Sequence, residues 1–497
     1  MGRLLQLLLL CIFVVLLNGY PSAGWPDEIK IGGIMDTTGP TSDVGKDYAI
    51  GMQDAFKYIN DHGGVNGQLI EYRWMDYGLQ MIDAVESYKL FKRLGCIAIM
   101  GWASGDTEAL SPTANKDEIP VISASFSSRL IDYSDKTPYN LFFAADYDTS
   151  AKACLKTWYE KKWPKHPDYG TRNPRFACCY MFASPGASSA IRQIKHQAKL
   201  LGFEIAPDED ISILAEDTTN QIESLKLFSP DVVWHGNTVT SVAVTLQDAQ
   251  ALGLDADWIV STWAFDENLP KLAGEAAEGV VGITPCAFFG QDVKNMDKVV
   301  SAAERYSAGI PLEMRTIHTV KAWGNAMILW EALKRADAVG VDLTQPGCGE
   351  EILKYGFETM RDFDIGLGAP PITFTASNHR PTTTCIIQEW RDGQFRDVQA
   401  AQYRHIYVSN GNCGGNHPCY TTIQDAIDAV QDGGTIDVAA GTYNAGLQLT
   451  EAKDILLQGG WDSEFETQTA NTTVLTTAPK ALNGSITLRM LSILPDG

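Results

Sequence analysis

Positive charge is scarce in this sequence. Of 497 residues, 39 are Lys or Arg against 61 Asp or Glu, a formal charge of −22. Such a chain repels a phosphate backbone and an anionic lipid surface, which argues against nucleic-acid and membrane-surface partners. Long apolar runs are missing too. Leu4 to Leu17 is a run of 14 residues, and no later stretch reaches the ~18–20 uncharged apolar residues of a spanning helix, so no direct membrane span is expected. The eight histidines, at positions 62, 166, 196, 235, 318, 379, 405 and 417, never fall at metal-ligand spacing. There is no His-Glu-x-x-His, no Gly-x-x-x-x-Gly-Lys-Ser/Thr loop and no Gly-x-Ser-x-Gly elbow. Gly32-Gly33 lacks the Gly-x-Gly-x-x-Gly spacing that brings backbone against a pyrophosphate. These absences point away from catalysis: no cofactor, no metal and no catalytic residue are expected.

What is present is the composition of a folded protein, 45% apolar and 20% charged. Single cores stop growing at roughly 250–300 residues, so two or more lobes are expected. Arg3, the following apolar run and the small-residue exit to Gly24 have the form of a secretory signal peptide over residues 1–24, which predicts export to the periplasm or beyond. Ten cysteines less Cys11 in that leader leave nine. Cys413 and Cys419 flank a turn-rich loop and predict a local disulfide, with a zinc site involving His405 and His417 as the alternative. Cys178 and Cys179 are neighbours in an apolar strand, point to opposite faces and are not expected to bridge each other.

From Ile29 to about Ile122 strands and helices alternate with short turns, the pattern of a parallel sheet covered on both faces. IKIGGIM reads as a buried strand. Tyr48, Met52, Ala55, Phe56 and Ile59 form a helical stripe that Gly63-Gly64 ends. LIEYRWMD, CIAIMG and PVIS are further strands. The alternation resumes after Asp148 with FACCYMF, ISIL, DVVWHG, WIVST and GVVGIT, a second lobe of the same kind. A long helix follows, with Val320, Trp323, Met327, Trp330 and Leu333 as core stripe. ITFT then reads as a strand, and TTCIIQEW and QFRDV flank Asp392-Gly393, a strong hairpin signal. Beyond residue 405 a short helix and short strands separated by Gly, Asn and Thr turns suggest solenoid rungs.

Small polar loops stand at the C-terminal ends of several strands, where open α/β sheets bind ligands. Ser104, in Gly101-Trp102-Ala103-Ser104-Gly105-Asp106-Thr107, is placed to cap a helix whose free N–H groups would receive a ligand carboxylate; plain capping is the alternative. Ser125 and Ser127 surround Phe126 in a second loop, which reads equally as ordinary Ser-rich turn chemistry. Thr238 follows DVVWHG, and Trp263 follows WIVST as either ligand platform or interlobe packing.

The run IKIGGIMDTTGPTSDVGKDYAIGMQDAFKYINDHGGVNGQLIEYRWMD, with GWASGDTEALSP, IPVISASFSS, GEAAEGVVG, GAPPITFTASNHRP and IIQEWRDGQFRDV in the same order, resembles the leucine/isoleucine/valine-type solute-binding proteins of bacterial ABC importers over about residues 27 to 398. The resemblance implies an α/β, two-lobed type I periplasmic-binding fold over residues 25–399, closing on a small-molecule solute that is passed to separate permease and ATPase chains. It implies ligand contacts at Val44, Ser104, Ser125, Ser127, Ala183 to Pro185, Thr238 and Trp263, with Trp102 and Phe126 available to cover a ring. The sequence departs from the family where amino-acid binders carry an acid for the ligand ammonium, here Trp263, and where they carry aromatic rings, here Val44 and Pro185. An aromatic or other organic acid, or an amide, is therefore expected over an amino acid. The tail, through YTTIQDAIDAVQDGGTIDVAAGTYN and ILLQGGWDSEF, resembles the cap and first rungs of extracellular right-handed parallel β-helix proteins, giving a partial β-helix over 405–497. A carbohydrate-active or adhesive tail behind a sensory front is the rival reading.

Overall fold

The computed structural model of the chain describes residues 28–494, except 133–135, 377, 403–404, 412, 414–418, 431–433, 444–445, 451–452, 466–467 and 471. The expected leader lies outside the described residues.

The first lobe is built on β1 (Ile29–Met35), β2 (Ile70–Asp76), β3 (Ala98–Gly101), β4 (Val121–Ser123) and β5 (Asn140–Leu141), all parallel in the order β2-β1-β3-β4-β5. Between them run α1 (Ser42–Asp61), α2 (Met81–Arg93) and α3 (Ser104–Asp117). The central strands are buried runs rather than alternating ones, as a sheet with helices on both faces requires. The second lobe contains α4 (Tyr147–Lys161), β6 (Arg175–Tyr180), α5 (Ile191–Leu200), β7 (Glu204–Ile205), β8 (Glu209–Asp210), α6 (Thr219–Phe228), β9 (Val232–His235), α7 (Val239–Leu252), β10 (Asp257–Val260) and β11 (Val281–Thr284). Its sheet runs β13-β12-β11-β10-β9-β6-β7, with the hairpin β12 (Thr384–Arg391) and β13 (Gln394–Gln402) antiparallel on its edge, as the Asp-Gly turn predicts.

The chain therefore crosses between lobes three times. The long helix α9 (Ile317–Ala338) returns to the first lobe with α8 (Met296–Tyr306) and packs on α1. The contact is close enough that a Cβ at Gly51 would stand 2.8 Å from Thr319 Cα. Helix α9 is buried on every side over residues 317–326, where His318, Thr319, Lys321 and Asn325 are enclosed with hydrogen-bond partners, and on one face beyond.

Two expectations need correction, and one helix was missed. Ile211–Leu214 is not a strand: pairing with β6 ends at Asp210, after which the segment leaves the sheet. Residues 372–375 make only isolated bridges, Ile372 with Phe363 and Thr375 with Asn378, before the chain crosses between lobes. Helix α8 was not foreseen.

In the tail, β14 (His405–Val408) pairs in parallel with β15 (Cys419–Tyr420) and β16 (Thr435–Ala439); β16 pairs with β19 (Lys453–Trp461), and β19 with β22 (Gly484–Arg489). A second parallel ladder joins residues 441–443, 473–475 and 491–493. Cys413 and Cys419 are joined as a disulfide, while Cys178 and Cys179 are separate buried thiols in different core clusters. The tail rests on the second lobe: His196 Nε2 lies 2.7 Å from Phe465 O, and Lys152 Nζ stands 5.5 Å from the centre of the Tyr407 ring.

One buried cation ties the first and third crossings. Arg380 donates through Nε to Asp146 Oδ2 and through Nη2 to Asp132 Oδ1, each at 2.7 Å, with only 3% of its side chain exposed. Asp146 also caps α4, accepting from Thr149 N and Oγ1. Burial raises the Asp146 carboxyl, but Arg380 and the Thr149 donors together hold it below the usual range. Arg380→Leu leaves two buried acids without their cation and is expected to cost about 3–5 kcal/mol of stability, read by urea unfolding at pH 7. A loss below about 1 kcal/mol would show that the pair does not brace the crossings.

Candidate functional site

A cavity of about 480 Å³ lies between the lobes at the C-terminal ends of the strands. Its first wall is organised by Asp36, fully buried at the end of β1. Asp36 accepts from Gly39 N at 2.6 Å, Thr41 N at 2.9 Å and Thr41 Oγ1 at 2.5 Å. Thr41 Oγ1 in turn accepts from Trp102 Nε1 at 2.8 Å, so the loop after β1 fixes the ring that follows β3. Beside them stand Val44 and Ser104.

The opposite wall comes from the second lobe, through Ala183, Pro185, Thr238 and Trp263. The lobes meet closely. A Cβ on Gly105 would lie 3.2 Å from Pro185 Cγ. Asp43 Oδ2 accepts from Thr240 N at 3.2 Å across the gap, placing a carboxylate at the N-terminus of α7.

Trp263 is held on several sides. Its Nε1 donates to Tyr147 OH at 2.8 Å; its ring stacks on His318 at 5.3 Å and 9°, and meets Trp102 edge-on at 5.3 Å. Lys321 Nζ stands 4.4 Å from the ring centre and donates to Thr262 O. Burial lowers Lys321 to about 8. Asp266 does not serve the cavity: Oδ1 accepts from Asn268 N and Leu269 N, and Oδ2 lies 2.9 Å from His318 Nε2. Among the described residues lining the cavity there is no Lys, Arg or His, and one carboxyl, Asp106. Burial pushes Asp106 up to about 7, and it accepts from Tyr77 OH at 3.0 Å. Thr262 Oγ1 is buried on the wall without a protein hydrogen bond, a cost that a polar ligand atom would remove.

Val44, Trp102, Ser104, Ala183, Pro185, Thr238 and Trp263 thus share one cavity. Ser125, Phe126 and Ser127 stand behind its wall, which corrects their expected place. Ser125 Oγ pairs with Ser104 Oγ at 2.6 Å, Ser127 Oγ donates to Glu108 Oε1 at 2.6 Å, and Phe126 packs on Phe142, Phe143 and Trp263. Ser104 is not the cap of α3 either; Ala103 holds that position, and no side chain caps the helix. Sequence reasoning missed Tyr77, Met81, Tyr147, Met181 and Ile213, all lining residues. Tyr77 had a usable signal, since it follows a predicted strand directly. Ile213 had a misleading one, because ISIL has strand composition.

Comparison with known proteins fits this geometry. The family model described as periplasmic binding protein matches residues 28–394. The chain belongs to the periplasmic binding protein family. It is similar to the Leu/Ile/Val-binding protein homolog 7 of Brucella suis biovar 1 (strain 1330), 21% identical over 409 residues that span 79% of this chain and 96% of that protein. Among solved structures it resembles an ABC transporter substrate-binding protein of Aeropyrum pernix, at 30% identity and TM-score 0.65, covering 75% of this chain and 96% of the other. It shares its fold with a branched-chain amino acid ABC transporter protein of Thermus thermophilus solved with bound valine, at 22% identity and TM-score 0.68, with coverage of 75% and 96%. The two-lobed type I periplasmic-binding fold is thus common to this chain and those structures. These relatives are solute-binding transport proteins and not enzymes.

Within this periplasmic binding protein, the Asp36–Thr41–Trp102 chain is what presents an indole to the cleft. Thr41→Val removes the acceptor of Trp102 Nε1 and one donor to Asp36, and is expected to cost about 1–3 kcal/mol in urea unfolding. A change within error would mean that the ring is held by packing alone.

Proposed function

We propose that this protein is an exported solute receptor that captures a carboxylate- or amide-bearing solute with an apolar or aromatic body and presents it to an ABC permease and its ATPase. The observation that carries the ligand class is Trp263. A ligand ammonium needs a buried counter-charge, and at this place the chain offers an indole backed by the Lys321 cation. The nearby acid Asp266 is committed to His318 and to backbone donors. Trp102 and Trp263 offer faces for a flat or branched body, and Ser104 with the first turn of α3 offers donors to an oxygen. Ligand bound between walls of different lobes favours closure, because it contacts both only when they meet. Residues 1–24 act as the export signal in this reading. The disulfide-linked tail is the start of a right-handed parallel β-helix and takes no part in solute capture; its parallel ladders support that assignment.

One observation favours a second reading. Asp106 is a carboxyl on the cavity wall and would serve an amine if it ionised on binding. Calorimetry with leucine and with 4-methylpentanoate, its deaminated counterpart, separates the two. The deaminated acid is expected to bind the mature protein at least as tightly as leucine, and Asp106→Asn to leave its affinity unchanged. Tight leucine binding that Asp106→Asn abolishes would overturn the ligand class. Ser104→Ala is expected to weaken the acid by about 1–3 kcal/mol, the range for a hydrogen bond to a charged group.

A further inference from the structure

The cavity does not end between the lobes. Past Tyr147 it continues into the second lobe, where Ser150 on α4, Ala187 and Ala190 before α5, Trp234 on β9 and Ile283 on β11 form its wall. Three of these, Ala190, Trp234 and Ile283, belong to the core cluster that packs α4 and α5 on one face of the sheet. They are 3%, 4% and 5% exposed, whereas Met81 and Leu214, at the opposite limit of the same cavity, are 43% and 63% exposed. The cavity is thus a channel with a wet mouth, a middle at Ser104 and Trp263, and a closed end inside one lobe that is apolar except for the Ser150 hydroxyl and Trp234 Nε1, the latter buried without a protein hydrogen bond.

Protein cores are close-packed, with few voids larger than a water molecule. Here the closed end is bordered by small side chains, Ser150, Ala187 and Ala190, at positions where a larger apolar residue would close it. Its total volume, about 480 Å³, falls within the roughly 300–1,000 Å³ of sites that enclose drug-sized ligands. A short solute in the middle would leave the inner end unfilled.

Building on the receptor reading above, we infer that the solute is elongated and amphipathic: a carboxylate or amide head at Ser104 and Trp263, and a linear apolar tail inserted into the second lobe between α4 and the sheet. The tail needs no charged partner, and the slot offers none. The head stays where both lobes reach it. Insertion into a lobe, rather than between lobes, also means that the tail is held before closure.

The test is a homologous series, the straight-chain carboxylates from butanoate to tetradecanoate and the matching primary amides, titrated by calorimetry into the full mature chain and into Ala190→Leu. In the unmodified protein, affinity is expected to rise about fourfold per added methylene until the slot is full, and then to level off. In Ala190→Leu the plateau is expected two or three carbons earlier, with the shortest members unaffected. An affinity that is flat or falling with length would overturn the elongated-ligand inference. So would a rise that Ala190→Leu leaves unchanged, since the tail would then leave through the mouth past Met81 and Leu214. In both cases short-chain binding would leave the receptor reading intact. Should no member of either series bind, while 4-methylpentanoate does, the elongated class alone fails; if neither binds, the receptor reading of this cleft fails with it. If Ala190→Leu does not fold, the same series in Ser150→Leu, at the same end of the cavity, decides between slot and mouth by the same criterion.

Discussion

Trp263 is the side chain on which the two halves of this molecule agree. It follows β10 of the second lobe, yet its face lies on His318, its ring centre is 4.4 Å from Lys321 and its edge meets Trp102, all first-lobe residues. Its one polar atom is spent on Tyr147, just after the first crossing. A large aromatic held by stacking, a cation and a hydrogen bond has few alternative rotamers, so it fixes the geometry of the wall it presents. It also fixes the wall's chemistry. The place nearest the crossings is an aromatic surface with the Lys321 ammonium behind it, which is the basis of the proposed ligand class.

Mobility has a second control, at the Arg380 cluster. Asp132, Asp146 and Arg380 are buried together, and burial pushes Asp132 up to about 8 despite the cation. Buried ion pairs are weak sources of net stability, but their geometry is demanding, which restricts how the first and third crossings move. The tail does not bridge the cleft through the contacts described. His196 on α5 and Lys152 on α4 both belong to the second lobe, so the tail travels with that lobe when the cleft opens.

Much of this was readable before any coordinates, for a physical reason. Parallel strands buried on both faces and helices with one apolar stripe leave local signals, and IKIGGIM, the Tyr48–Ile59 stripe and the Asp392-Gly393 hairpin landed where their patterns put them. Local pattern says less about partners. That α9 returns to the first lobe is decided by contacts with α1 about 270 residues earlier in the chain, such as Asp47 accepting from Thr319 N. Ser127 looked like a ligand donor because the alternating serines read as a polar loop; the carboxylate of Glu108, on the neighbouring helix, claims its hydroxyl. Resemblance supplied Val44, Ala183 and Pro185, which composition alone would never have selected.

The site separates two quantities that are often treated as one, affinity and closure. A ligand shifts an open–closed equilibrium only through interactions that differ between the two states. Contacts made wholly within the second lobe, such as those available at Trp234, Ile283 and Ala190, exist in both states and add to affinity without driving closure. Contacts at Ser104 and Trp102 are first-lobe contacts, which a solute seated in the second lobe makes only when the lobes meet. In the proposed receptor, the first-lobe wall organised by Asp36 through Thr41 is the part that couples a filled cleft to closure, and the second-lobe surface is the part that adds affinity alone.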